Sequence, residues 1–192
     1  MCTSHRRFRG YTLIELLIVI AILGLAGALL VPRLINADTF AVQAAVRAMV
    51  ADITFAQTDA LARQEIRRVQ FLRDDLDRIH GYAILAPANQ AIYDGPFDPE
   101  TAEYLDHPSA IATGGSFIVD FDVDERFSGV EIESVSFNGS DWIAFDALGG
   151  PLGRAGQPFT TGGEVRLRGL SGSYLLQVSG FTGKITVEQI DE

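Results

Sequence analysis

The chain has 192 residues, 47% of them apolar and 21% charged, which excludes a disordered or low-complexity polypeptide and leaves room for one domain plus an accessory segment. A single cysteine, Cys2, excludes an intrachain disulfide and any cysteine-built zinc or iron–sulfur site, and three histidines are thin material for a catalytic cluster. The net charge of −10 opposes general binding to nucleic acid, because phosphate contacts need Lys and Arg.

The charge is unevenly placed. Between Asp94 and Asp146 stand 13 carboxylates and one base, Arg126, whereas residues 1–10 hold Arg6, Arg7 and Arg9 and no acid. After this short basic leader, Tyr11 to Pro32 is apolar apart from Thr12 and Glu15. At about 1.5 Å per residue, a helix of that length spans roughly 33 Å, enough to cross a bilayer core. The leader arginines outnumber Arg33 on the far side, so the N-terminus is expected in the cytoplasm and the rest of the chain outside.

Three ordinary readings fit that run: a plain single-pass anchor, a secretory signal peptide cleaved after Ala37, or a buried core helix. An h-region this long, with Ile35 near the cut, argues against the second, and the flanking arginines argue against the third. None of them accounts for Glu15. A carboxylate in an apolar span costs on the order of 2–3 kcal/mol at mid-bilayer, so it marks a functional candidate whose partner must be sought.

The string Gly10-Tyr11-Thr12-Leu13-Ile14-Glu15, behind a basic leader and ahead of an unbroken apolar run, resembles the prepilin signature of type IV pilins and pseudopilins. The resemblance implies cleavage by a membrane prepilin peptidase between Gly10 and Tyr11, followed by N-methylation of Tyr11. It implies that Glu15, at the fifth mature position, neutralises the N-terminal amine of a neighbouring subunit during assembly. It also implies a helix kink at Pro32. The partners implied are the peptidase, other pilins or pseudopilins and the inner membrane, with no nucleic acid. Tyr11 stands where the family more often has phenylalanine, and it keeps the aromatic ring.

Beyond Pro32 the helix is expected to continue as an amphipathic one, with Val42, Ala45, Val46, Met49, Ile53, Ala56 and Ala60 on one stripe. Arg47, Asp52, Gln57 and Asp59 lie elsewhere, and the helix should end near Gln64 or Glu65. The period then changes. Residues 67–73 and 78–85 read as a hairpin around Asp74-Asp75-Leu76-Asp77, 86–115 as an irregular proline-bearing excursion, and 116–123 as an alternating strand. Residues 130–137 and 141–148 read as a second hairpin around Asn138-Gly139-Ser140. After a Gly/Pro-rich loop at 149–163, residues 164–170, 173–179 and 184–189 read as strands.

The expected fold is α+β: a long N-terminal helix, membrane half then amphipathic half, packed on antiparallel sheet of seven to eight strands. The expected divisions are a leader at 1–10, a transmembrane and polymerisation helix at 11–32, an amphipathic helix at 33–65 and an extracytoplasmic β-rich domain at 66–192. The run Phe55-Ala56-Gln57-Thr58-Asp59-Ala60-Leu61-Ala62-Arg63, with Trp142-Ile143-Ala144-Phe145 and Leu175-Leu176-Gln177-Val178, is similar to the GspH/FimT group of minor pseudopilins.

Other candidate sites are weaker. Asp120, Asp122, Asp124 and Glu131 have part of a calcium-loop spacing, but Glu125 stands where the sharp turn needs glycine. The aspartates also fit the solvated face of a strand, so no resident metal or cofactor is assigned. Arg63, Arg67, Arg68, Arg73 and Arg78 concentrate positive charge, and pairing with the domain's own carboxylates explains them more simply than a DNA patch. The spacings Gly150-x-x-Gly153-x-x-Gly156 and Gly169-Leu170-Ser171-Gly172 fit neither a dinucleotide loop nor a nucleophile elbow, so no catalytic residue is assigned. The reading is a structural subunit rather than an enzyme. The alternatives are a membrane-anchored binding module that does not polymerise and a secreted domain starting at Asp38.

Overall fold

The computed structural model describes residues 11–108, 115–154, 159 and 161–190, with the side chains of 28–39 left out. One helix, α1 (Leu13–Arg63), runs through two compact units, Met1–Ala37 and Asp38–Glu192. In the first unit, the described side chains from Tyr11 to Leu25 are exposed apolar groups apart from Thr12, Glu15 and Gly24.

In the second unit the predicted stripe is the core face. Val42, Ala45, Val46, Met49, Ile53, Ala56 and Ala60 are all buried against the sheet. The helix stops one residue before the expected end because Gln64 takes a left-handed backbone (φ 56°), a common helix terminator. Gly169 faces the start of this stripe, where an added Cβ would lie 2.9 Å from Cβ of Val42, so a side chain there would push the helix off the sheet.

The sheet contains β1 (Arg67–Arg73), β2 (Ile79–Leu85), β3 (Ile118–Asp120), β4 (Glu131–Phe137), β5 (Trp142–Phe145), β6 (Pro151–Leu152), β7 (Gly163–Gly169), β8 (Gly172–Val178) and β9 (Ile185–Ile190). Its order is β6-β5-β1-β2-β4-β7-β8-β9, with β3 pairing β2, and every pairing is antiparallel. The fold is therefore α+β, with nine strands among the described residues rather than the seven or eight expected. The extra strand is the two-residue β6, too short to show a period of two, and the alternating strand expected at 116–123 is shortened to the three-residue β3.

The β1–β2 hairpin forms as expected. Asp74 Oδ1 accepts from the Leu76 and Arg78 amides, and Asp77 takes φ 62°, so the acidic run is a turn built by its own side chain. The second expected hairpin does not form. Asn138 and Gly139 do make the tight turn, with Phe137 and Ser140 exchanging both backbone bonds. Beyond that pair the strands part: β4 pairs β2 and β7, while β5 pairs β1 and β6. All four residues of β5 are buried, which suits a strand covered on both faces better than one arm of a half-exposed hairpin. β5 also ends at Phe145, before the expected Leu148, because Asp146 Oδ1 captures the Leu148 and Gly150 amides in a turn.

The polar residues flanking the stripe join helix to sheet. Gln57 Nε2 donates to the carbonyls of Gly149 and Thr182, at 2.8 and 2.9 Å. The Tyr82 hydroxyl donates to Asp52 Oδ2 at 2.7 Å. Burial holds the Asp52 carboxyl above its ordinary value, opposed by the Tyr82 hydrogen bond and by the more distant His107 and Arg126. A raised folded-state value means that the folded chain binds this proton more tightly than the unfolded chain. Stability at this residue is therefore gained as pH falls through the folded value and lost as pH rises through it. Asp52→Asn keeps an acceptor for Tyr82 without burying charge. Thermal melts should show the variant more stable than the parent at pH 7, with the gap closing as pH approaches 3.8, the unperturbed value. A gap that persists unchanged at low pH would mean that charge burial is not the cost.

Candidate processing and assembly site

The N-terminal site begins at a helix cap. Thr12 precedes α1, and its Oγ1 accepts from the Glu15 amide at 3.3 Å, while its carbonyl accepts from the amides of Glu15 and Leu16. Thr12-x-x-Glu15 is the pattern of a capping box, a signal legible in the sequence but absent from the expectations above. It places the Glu15 carboxylate in the first helical turn, where the helix dipole favours negative charge by about 0.3–1 kcal/mol. Local backbone chemistry thus gives Glu15 a position one turn from Tyr11. Its carboxylate makes no ion pair among the described residues.

Gly10 lies outside the described residues. Position 32 falls within α1, but the side chain of Pro32 is also outside them. Tyr11, Leu13, Ile14, Leu16 and Leu17 are each more than half exposed. Among the described residues, no helix is long and apolar enough to cross a membrane. The apolar sequence continues through residues 28–32, which lie among the side chains left out.

The acidic candidates are dispersed. β3 ends at Asp120, and the Asp120 carboxylate accepts from the Asp122 amide, so the chain turns where an alternating strand was expected. Asp120 faces His80 at 3.3 Å. Asp124 caps the short 3-10 helix Glu125–Phe127 and pairs with Arg126, whose hydrogen bonds hold its carboxyl below the ordinary value. Glu131 lies 3.5 Å from Arg168 on β7. Among the described residues, no group of three or more His, Cys, Asp or Glu is placed to hold a metal ion.

Four of the five clustered arginines pair with carboxylates. Arg63 meets Asp59, Arg67 meets Asp59 and Glu65, Arg73 meets Asp77 and Asp141, and Arg78 meets Asp74. Arg68 is the exception. It is buried on the sheet face opposite the helix and makes no ion pair among the described residues.

A basic leader, a helix start bearing a first-turn carboxylate and a following α+β domain are the features that the prepilin resemblance led one to expect. Comparison with known families supports this: residues 5–31 match the family described as the prokaryotic N-terminal methylation motif. That motif implies prepilin peptidase processing, assembly with other pilins and a membrane-anchored N-terminus carrying an extracytoplasmic domain. Among curated proteins, none matches the sequence significantly. Among solved structures, the type IV minor pilin FimU of Pseudomonas aeruginosa strain PAO1 is similar at 17% identity and a TM-score of 0.46, over 77% of this chain and 87% of that one. A likeness at that level assigns no function.

Proposed function

We propose that the chain is a structural minor pilin or pseudopilin subunit of a type II secretion pseudopilus or a type IV pilus, of the GspH/FimT kind. It is cut by prepilin peptidase between Gly10 and Tyr11 and methylated on the new amine of Tyr11. Residues 11–32 then hold it in the inner membrane and later enter a helical bundle, with Pro32 as the kink. Residues 33–65 carry the helix into an extracytoplasmic domain at 66–192, and no step requires catalysis by this chain.

The observation that carries the reading is the methylation-motif match at residues 5–31, which includes the cleavage position and Glu15. The exposed apolar side chains of residues 11–25 support it, since such a surface needs lipid or other helices around it. Cleavage leaves 182 residues and removes three of the 15 bases against 25 acids, for a net charge of −13.

N-terminal sequencing and intact mass test the proposal. The expected mature chain starts at methylated Tyr11. An uncut Met1 would favour the non-polymerising anchored module, and a start at Asp38 the secreted domain. Gly10→Val should block cleavage, because glycine lets the backbone enter the protease closely. The longer precursor should then accumulate in the membrane fraction, and normal trimming of Gly10→Val would remove the assignment.

A further inference from the structure

Arg67 and Arg68 are consecutive, both at most 5% exposed, and they face opposite sides of β1. Arg67 faces the helix and has Asp59 and Glu65 within ion-pairing distance. Arg68 faces outward and has no carboxylate within that distance among the described residues. Its Nη1 donates to the carbonyls of Tyr93 and Gly95 at 3.0 and 2.7 Å, and its Nη2 donates to Gln70 Oε1. The guanidinium carbon lies 4.8 Å from the centroid of the Trp142 ring. Its Nε is buried and has no hydrogen-bond partner among the described residues. A buried cation without a counter-ion, with one donor unsatisfied, is costly to maintain for packing alone.

Arg68 lines a groove of about 770 Å³ on the sheet face opposite α1, within the size range of ligand sites. Phe97, Tyr104 and Trp142 contribute aromatic surface to it, and Arg154 contributes a second cation. Arg154 is exposed and makes no ion pair among the described residues. The groove's two carboxylates are Asp94 and Asp141, and Asp141 already lies 3.7 Å from Arg73. Burial depresses the Arg68 guanidinium, opposed by Asp141 and Asp94 at longer range.

We infer that this groove binds an extended peptide segment of a partner protein, placing an acidic side chain against Arg68 and Arg154 and an apolar neighbour against Phe97 and Tyr104. The ligand carboxylate would pair with the exposed Arg154 and bring to Arg68 the counter-charge that Arg67 has internally, without touching the buried Nε. The volume and aromatic wall exceed what a small free acid needs. This inference does not depend on cleavage at Gly10, so either can fail alone.

Trp142 is the chain's only tryptophan, so its emission reports on the groove. The full chain in detergent micelles would be titrated with blocked pentapeptides carrying a central Glu flanked by Ala, Leu, Phe or Pro, and with matching central-Gln peptides. At least one Glu peptide should change Trp142 emission and bind tenfold or more tightly than its Gln counterpart. Arg154→Glu, an exposed change, should weaken that peptide at least tenfold with an unchanged melting temperature. Arg68→Lys should weaken it too, and Arg154→Glu keeps the test decisive if Arg68→Lys folds poorly. Equal binding of Glu and Gln peptides, or no binding up to millimolar concentration, would overturn the inference. So would tighter binding of glutarate or of a single-stranded oligonucleotide than of any peptide.

Discussion

Asp59→Ala is expected to lower the melting temperature by about 6–12 °C, the largest loss of stability from one side chain outside the apolar core. The cause is a shielded ion pair. Asp59 Oδ2 lies 2.6 Å from Nε of Arg67, with the two side chains only 14% and 2% exposed. Removing one partner of a buried pair costs about 3–5 kcal/mol, because the other charge is left without compensation. Glu65 remains 3.0 Å from the same guanidinium but is 54% exposed, which places the expected cost near the lower end, about 3 kcal/mol. The Arg63–Asp59 contact contributes little, since Arg63 is 64% exposed. Replacing both members with apolar residues, Asp59→Leu with Arg67→Met, should recover most of the loss, because neither charge is then desolvated. Thermal melts followed by circular dichroism on the two singles and the double would decide. A shift under 2 °C for Asp59→Ala would show that the pair does not anchor the last helical turn to β1.

That pair also shows where the sequence was legible. The buried stripe from Val42 to Ala60 could be named residue by residue, because a 3.6-residue period is a local property of the chain. The same holds for β1–β2 and for β7, β8 and β9, whose alternation and turns lie close together in sequence. Asp59 was read only as lying off the stripe. Its partner eight residues away sits beyond the helix end, where helical geometry no longer says who meets whom. The β4–β5 reading failed for a related reason. Asn138-Gly139 specifies a turn, but not that β5 continues beside β1, a choice settled by covering Trp142 to Phe145 on both faces. Asp120 to Asp124 looked alternating, yet the Asp120 and Asp124 carboxylates each capture a nearby amide, and such bonds compete directly with a strand ladder. Arg68 could be counted from sequence as a charge, but not as a buried one without a counter-ion. At the N-terminus, Thr12-x-x-Glu15 was available and explains why the carboxylate stands in the first turn.

Substituting Glu15 should separate insertion from assembly. On the proposed function, Glu15→Ala and Glu15→Leu are both inserted and cut, since cleavage acts at Gly10 and the apolar run is kept or improved. Both should then enter filaments or pseudopili poorly. Cleavage creates an ammonium on Tyr11 in apolar surroundings, and the neighbour's Glu15 is the carboxylate available to meet it. Without that partner an amine is left uncompensated, at a cost of about 3–5 kcal/mol per contact, which corresponds to two or more powers of ten in the assembly equilibrium. Loss of the carboxylate from the first turn removes only about 0.3–1 kcal/mol of helix-dipole stabilisation, too little to produce such a defect. Leucine makes the comparison sharp, because it is the better membrane residue and lacks only the charge. Co-purification with partner pilins, together with the N-terminal sequence of each variant, provides the measurement. Glu15→Leu recovered in assemblies at the parental level, with a normal Tyr11 start, would reduce Glu15 to a helix-capping residue and remove the pairing mechanism.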